Sequence, residues 1–232
     1  MTSPAIIAQN LEKRFGVANV AIIKKISLEI KTGEFVAITG RSGSGKSTLL
    51  YLLSGLDDPT SGNVIINGKN LSQLDSQEIH RFRNLEMGFV FQFHYLLPEL
   101  NSLENVLMPA RKLHHELDKR EYALELLDRF EVRHCAEKKP SQMSGGEMQR
   151  VAIARSMIMQ PAFLFADEPT GNLDSVNGET VMSIFEQINR EQKTTILMVT
   201  HEADYARRAS RQIFLTDGKI EHDKSQRHIH RR

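Results

Sequence analysis

Gly40–Arg41–Ser42–Gly43–Ser44–Gly45–Lys46–Ser47 carries the first chemistry legible in this chain. It fits G-x-x-x-x-G-K-[ST] at every fixed position, and each fixed position has a physical task. Glycines let backbone N–H groups converge on phosphate oxygens without a Cβ in the way. A helix starting near Lys46 would aim its positive end at the same anion. Lys46 can reach the β- and γ-phosphates of a nucleotide, and the Ser47 hydroxyl can take one Mg²⁺ position. A second constellation is the apolar run Ala162–Phe163–Leu164–Phe165–Ala166, which ends in Asp167 and Glu168. Asp167 can orient Mg²⁺ through its water shell, and Glu168 can serve as general base toward an attacking water. Adjacent acids after a strand also cap helices. Here Pro169–Thr170–Gly171–Asn172 follows, which is turn chemistry rather than the start of a helix.

These residues need a scaffold that brings them together. Phe35–Thr39 is a continuous β-prone run immediately before the glycine-rich loop, so the loop falls between a strand and a helix. Met87–Phe91, Ala162–Ala166 and Thr194–Thr200 are further short apolar runs, each followed by turn or charged residues and then a helix-like segment. Strands alternating with helices at that spacing predict an α/β fold, a P-loop NTPase core with a mainly parallel sheet. Residues 20–30 alternate with period two towards their end and predict an antiparallel strand. Arg211–Ile220 reads as strand, Asp217–Gly218 turn, strand. Residues 102–159 hold three helical periods and no strand pattern, which predicts a helical subdomain inserted between core strands.

Composition bounds the possibilities. A chain of 232 residues, 40% hydrophobic and 25% charged, can bury a proper core in one large domain or two small ones. The net charge of +1 gives no broad basic stripe, which argues against direct nucleic-acid binding. The longest run without Asp, Glu, Lys or Arg is twelve residues, Met87–Pro98, too short to span a bilayer. Cys135 is the single cysteine, which excludes an internal disulfide and a multi-cysteine zinc site and points to a reducing, cytoplasmic compartment. The opening residues, MTSPAIIAQNLEKR, lack the basic start and long apolar core of a secretory signal. His222, Lys224, Arg227, His228, His230, Arg231 and Arg232 are expected beyond the last strand as a solvated basic tail; metal capture by its histidines is the alternative.

Met143–Ser144–Gly145–Gly146–Glu147–Met148–Gln149–Arg150 would alone be an anion nest or a helix cap. With the loop at 40–47, the acids at 167–168, Leu173–Asp174 and His201, it closely resembles an ABC-type ATPase over residues 5 to about 221. That resemblance implies one ABC nucleotide-binding domain over 1–222, with an antiparallel β subdomain and a helical subdomain at about 93–160, followed by the tail. It implies ATP and Mg²⁺ as cofactors, and two copies closing head to tail over two ATP molecules. Arg41, Ser42 and Thr48 would share the phosphate cradle with the loop residues named above. Ser144, Gly145 and Gly146, with Glu147 beside them, would approach the γ-phosphate held by Lys46 of the other copy. Gln92 matches the glutamine near Mg²⁺ and the attacking water, His201 the histidine contacting the γ-phosphate, and Phe15 the ring stacked on adenine. Gly171–Asn172–Leu173–Asp174 matches the loop that crosses between the copies. Met143 stands where the family more often has Leu, Met148 where a polar residue is common, and Phe15 where Tyr is common.

Gln92–Pro98, Leu103–Val106, Asp167–Asp174 and Ser210–Gln212 are similar to the lipoprotein-releasing branch of that family. They occur less fully in its macrolide-exporter and cell-division branches, which stay open as alternatives. Membrane permease subunits are the implied partners, with cargo contacted by the permease and the ATPase peripheral on the cytoplasmic face of the inner membrane. The chain's end at Arg232 argues against a fused membrane domain but not against a permease encoded separately. Phe93, Tyr95, Leu96, Leu97 and Leu100 could line a groove for a permease helix, or pack beneath their own loop. A P-loop kinase would explain 40–47 but leave Ser144–Gly146, Gln92 and His201 without a task. A nucleic-acid motor would need coiled-coil or zinc insertions that this chain lacks.

Overall fold

The computed structural model describes residues 4–225. The chain opens with strands β1 (Pro4–Phe15) and β2 (Val20–Lys31), then β3 (Phe35–Gly40), helix α1 (Lys46–Leu53), β4 (Ser61–Ile66) and β5 (Lys69–Asn70). Helix α2 (Ser76–Glu86) leads into β6 (Met87–Phe91). Three helices follow: α3 (Ser102–Arg111), α4 (Arg120–Arg129) and α5 (Gly145–Met157). The core resumes with β7 (Phe163–Asp167), α6 (Ser175–Gln192), β8 (Thr195–Val199), α7 (Ala203–Ala206), β9 (Arg211–Thr216) and β10 (Lys219–Ser225).

Two sheets result. One is antiparallel, in the order β2-β1-β4-β5; the other runs β10-β9-β3-β8-β7-β6, parallel except for β10 at its edge. The parallel strands are unbroken apolar runs because both their faces are covered. In β8, Ile196 and Met198 enter the core shared with α3–α6, while Leu197 and Val199 enter the core between the two sheets. The expected helical insertion is present as α3–α5, each of whose helices sends apolar residues into the first of these cores. Capping boxes start α2, α3 and α5, where Asp75, Asn101 and Ser144 each face a Glu three residues on.

One expectation is corrected. Lys224 and His222, placed by the sequence past the last strand, belong to β10 and pair with Gln212 and Phe214 of β9. Arg211 fastens this edge, lying 2.7 Å from Asp223 and 3.1 Å from Glu34. An exposed edge strand needs few apolar residues, so its composition resembles a tail. Arg227, His228, His230, Arg231 and Arg232 lie outside the described residues.

Candidate functional site

Strands β3, β6, β7 and β8 end on one edge of the parallel sheet, the carboxyl edge where open α/β sheets bind ligands. The loop from β3 to α1 needs its glycines for specific reasons. Gly40 has φ +145°, and a Cβ there would lie 2.3 Å from the Leu215 carbonyl oxygen and 2.8 Å from Ser44 Oγ. Gly45, at φ +96°, precedes α1 as its N-cap and offers no side chain to the first N–H groups, which stay available to an anion. Gly40→Ala is therefore expected to cost about 1–3 kcal/mol of stability and to impair the loop. A denaturation midpoint equal to that of the parent chain would contradict the crowding.

Polar groups in the loop fit a phosphate ligand. Ser44 is only 4% exposed, and its Oγ has no hydrogen-bond partner among the described residues. A buried orphan of this kind costs about 1–3 kcal/mol, which an anion's oxygen would offset. Lys46 is buried and its ammonium donates to the Arg41 carbonyl at 3.1 Å. Ser47 Oγ donates to Asp167 Oδ1 at 2.8 Å, joining the loop to the end of β7. Tyr51 donates to the other oxygen, Oδ2, at 2.6 Å. Burial first, and the Asp167 hydrogen bond next, push the Tyr51 phenol well above its ordinary pKa. Sequence reasoning missed Tyr51, although it lies four residues after Ser47 and so shares its helix face. Ser47 and Asp167 form a hydroxyl–carboxylate pair of the hard oxygen type that suits Mg²⁺.

Glu168 follows with φ +47°, a left-handed backbone unusual outside glycine. The turn is anchored by its N–H on the Val199 carbonyl at 3.0 Å and by Gly171 N–H on the Glu168 carbonyl at 3.1 Å. This conformation leaves Glu168 Oε2 3.4 Å from Nδ1 of His201, which lies just past β8. Gln92, at the end of β6, and Asn172 pair reciprocally: Gln92 Nε2 donates to Asn172 Oδ1 at 3.3 Å, and Asn172 Nδ2 to the Gln92 carbonyl at 3.2 Å. A further link was not foreseen. Gln149 of α5 is 1% exposed, and its amide donates to the Pro169 carbonyl at 2.6 Å. It ties the helix that follows Ser144 to the loop that follows Glu168.

The fold thus gathers Lys46, Ser47, Asp167, Glu168 and His201, with Gln92 alongside. Other expected residues stand apart. Phe15 lies at the end of β1, half-exposed, with Lys13 Nζ 5.0 Å from its ring centre. Asp174 caps α6, accepting from Asn177 N at 2.9 Å and Nδ2 at 2.8 Å, and these bonds hold its carboxyl below the usual range. Among the described residues, no hydrogen bond or ion pair joins Ser144, Gly145 or Gly146 to the loop at 40–47. Ser144 instead caps α5: Glu147 Oε2 accepts its N–H at 2.7 Å and its hydroxyl at 2.9 Å. The Ser144 N–H, then His134, draws the Glu147 carboxyl down to about 2.

The family model described as ABC transporter matches residues 23–171, a span that includes the phosphate loop, Gln92, Ser144–Glu147, Asp167 and Glu168. The chain belongs to the ABC transporter family. Its fold is the P-loop nucleotide-binding domain of that family, and its activity is that of an ABC transporter ATPase. A lipoprotein-releasing system ATP-binding protein LolD of Leptospira interrogans is 52% identical over 215 residues, covering 93% of this chain and 90% of that one. A dimeric structure of a bacterial ABC transporter cassette superposes with a TM-score of 0.87 at 40% identity, covering 96% of this chain and 99% of that one. A dimeric post-hydrolysis cassette bound to ADP and phosphate gives 0.86 at 37% identity, with the same coverage. Phe15, Asp174 and His201 of this ABC ATPase lie outside the matched segment.

Proposed function

We propose that this chain is the ATPase of a lipoprotein-releasing ABC transporter, acting as an ATP-dependent homodimer on a separate membrane permease. The observation that carries the mechanism is the divided site. Lys46, Ser47, Asp167 and Glu168 stand together, whereas among the described residues no hydrogen bond or ion pair joins Ser144–Gly146 to them within one copy. The similarity to dimeric cassettes and to the Leptospira lipoprotein-releasing protein supports the same reading.

In this mechanism the loop N–H groups and Lys46 bind the ATP phosphates, and Phe15 stacks on adenine. Ser47, Asp167 and Gln92 would hold Mg²⁺, which supplies charge neutralisation on the β- and γ-phosphate oxygens. Ser144, Gly145 and Gly146 of a second copy close over the γ-phosphate, with the loop containing Asp174 at the same interface. Glu168 takes a proton from water as the water oxygen bonds to the γ-phosphorus and the bond to ADP breaks. His201 orients the Glu168 carboxylate and meets the γ-phosphate. ATP makes contacts in the closed pair that the open pair does not offer, and that difference drives closure.

Closure has a groove through which to act. A cavity of about 350 Å³ lies among α2, β6, α3 and α5, lined by Leu56, Met87, Phe89 and Met159 together with the cationic Arg83 and Lys112. Beside it Phe93 and Tyr95 are exposed, and Phe91 meets Tyr95 edge-on at 5.4 Å. Leu96 instead packs into the helical core, so only part of the expected loop faces solvent. An amphipathic permease segment with acidic residues suits this groove. Among the described residues no helix is long and apolar enough to cross a membrane, which suits a peripheral subunit held on the cytoplasmic face by its permease.

Reconstitution with the cognate permease in vesicles carrying an acylated lipoprotein tests the proposal. ATP is expected to release lipoprotein to a soluble acceptor; ATP turnover with no lipoprotein leaving the vesicles would overturn it.

A further inference from the structure

His134, Cys135 and Glu147 lie outside the nucleotide edge and have no task in the mechanism above beyond the helix cap. His134 Nε2 is 2.8 Å from Glu147 Oε1, and Cys135 Sγ is 3.3 Å from the same oxygen. One ligand atom from each of the three falls within 4.8 Å of the others. We propose that these side chains bind Zn²⁺, and that the bound ion locks the Ser144 cap and restrains ATP turnover. The second half of this inference rests on the reading that Ser144–Gly146 serve the ATP of another copy.

Ligand chemistry selects the metal. An imidazole, a thiolate and a carboxylate suit Zn²⁺, whereas Mg²⁺ and Ca²⁺ take oxygen ligands. The site therefore does not compete for the Mg²⁺ used with ATP. Tetrahedral Zn²⁺ with ordinary bond lengths separates its donor atoms by about 3.3–3.6 Å. The sulfur–oxygen pair already matches; the imidazole nitrogen, within 4.8 Å of the sulfur, would move about half an ångström away from the carboxylate oxygen. His134 is free to do so because its side chain is 58% exposed.

Cys135 and Glu147 are held in advance. Cys135 ends a short helical turn, Arg133–Cys135, and is fully buried beside Phe130 and Val132 in the helical core. Glu147 is fixed by its capping box with Ser144. Zn²⁺ would enter from the solvent side past His134, replacing the hydrogen bonds to Oε1; the Cys135 thiol proton leaves to solvent and neutral His134 donates a lone pair. Water completes the fourth position.

The two oxygens of Glu147 link this site to Ser144. Oε1 faces His134 and Cys135, while Oε2 accepts the Ser144 N–H and hydroxyl. With Oε1 bound to metal the carboxylate cannot swing away. The Ser144 hydroxyl then stays committed to Glu147 and is withheld from a phosphate.

The test uses the whole protein without nucleotide, titrated with Co²⁺ as a spectroscopic probe and Zn²⁺ as competitor. Expected are a tetrahedral cobalt spectrum and a thiolate charge-transfer band, both saturating at a single equivalent and both displaced by Zn²⁺. Cys135→Ser should lose the charge-transfer band, and His134→Gln should bind at least about ten-fold more weakly. A six-coordinate spectrum, or one unchanged in both variants, overturns the site. In a second measurement Zn²⁺ should lower Mg-ATP turnover of the parent chain but not of His134→Gln, whose turnover without Zn²⁺ should equal the parent's. Equal inhibition of both, or binding without inhibition, overturns the restraint. Because the cobalt readout involves no ATP, failure of the shared-site reading would leave it unaltered and would show instead as full ATP turnover by an isolated monomer.

Discussion

Glu168→Gln is expected to lower ATP turnover by about 10²–10⁴-fold, the usual contribution of a positioned general base. The amide keeps the size of the side chain but cannot take the proton released as water attacks. Among the described residues no hydrogen bond or ion pair joins the carboxylate to the phosphate loop: the Glu168 backbone bonds to Val199 and Gly171, and its side chain faces His201. ATP binding should therefore survive, and without hydrolysis the closed pair should accumulate. Phosphate release measures the first effect, and size-exclusion chromatography in Mg-ATP measures the second. Undiminished phosphate release would remove Glu168 from the role of base, and a variant that stays monomeric with ATP bound would undercut the shared site.

Lys46→Ala is expected to weaken ATP binding about ten- to a hundred-fold. A hydrogen bond to a charged group contributes about 1.5–3 kcal/mol, and each 1.4 kcal/mol is about ten-fold in affinity. Stability should change little by comparison, because among the described residues the ammonium bonds only to the Arg41 carbonyl of its own loop. Calorimetric titration with ATP, beside a thermal melt, separates the two. Unchanged affinity would contradict the assignment, while a collapsed melt would mean that Lys46 serves the fold instead.

Much of the architecture could be read locally. The runs at β3, β6, β7 and β8 are apolar because both faces of the parallel sheet are buried, and that burial leaves a mark in consecutive residues. Helix α5 showed in the helical period that begins at Gly145, and the structure adds the capping box between Ser144 and Glu147 that starts it. Strand β1 left no such mark. Its register with β2 shifts between Ala8 and Leu11 and again before Lys13, and Asn10 adopts φ +50°, so alternation never persists. Helix α2 was equally hidden, since Phe82 is its one buried residue.

The residue types at the nucleotide edge were apparent from spacing along the chain, since a phosphate loop is built from neighbours and its chemistry is written within eight positions. Which distant groups those neighbours meet is a different matter. Ser47 reaches Asp167 across 120 positions, Tyr51 joins the other oxygen of that carboxylate, and Gln92 meets Asn172 across 80. Those meetings depend on the strand order β3-β8-β7-β6 and on the left-handed turn at Glu168, which sets its carboxylate against His201. Local periodicity carries burial, but long-range partners are selected by sheet order and register, which arise only when the whole core packs.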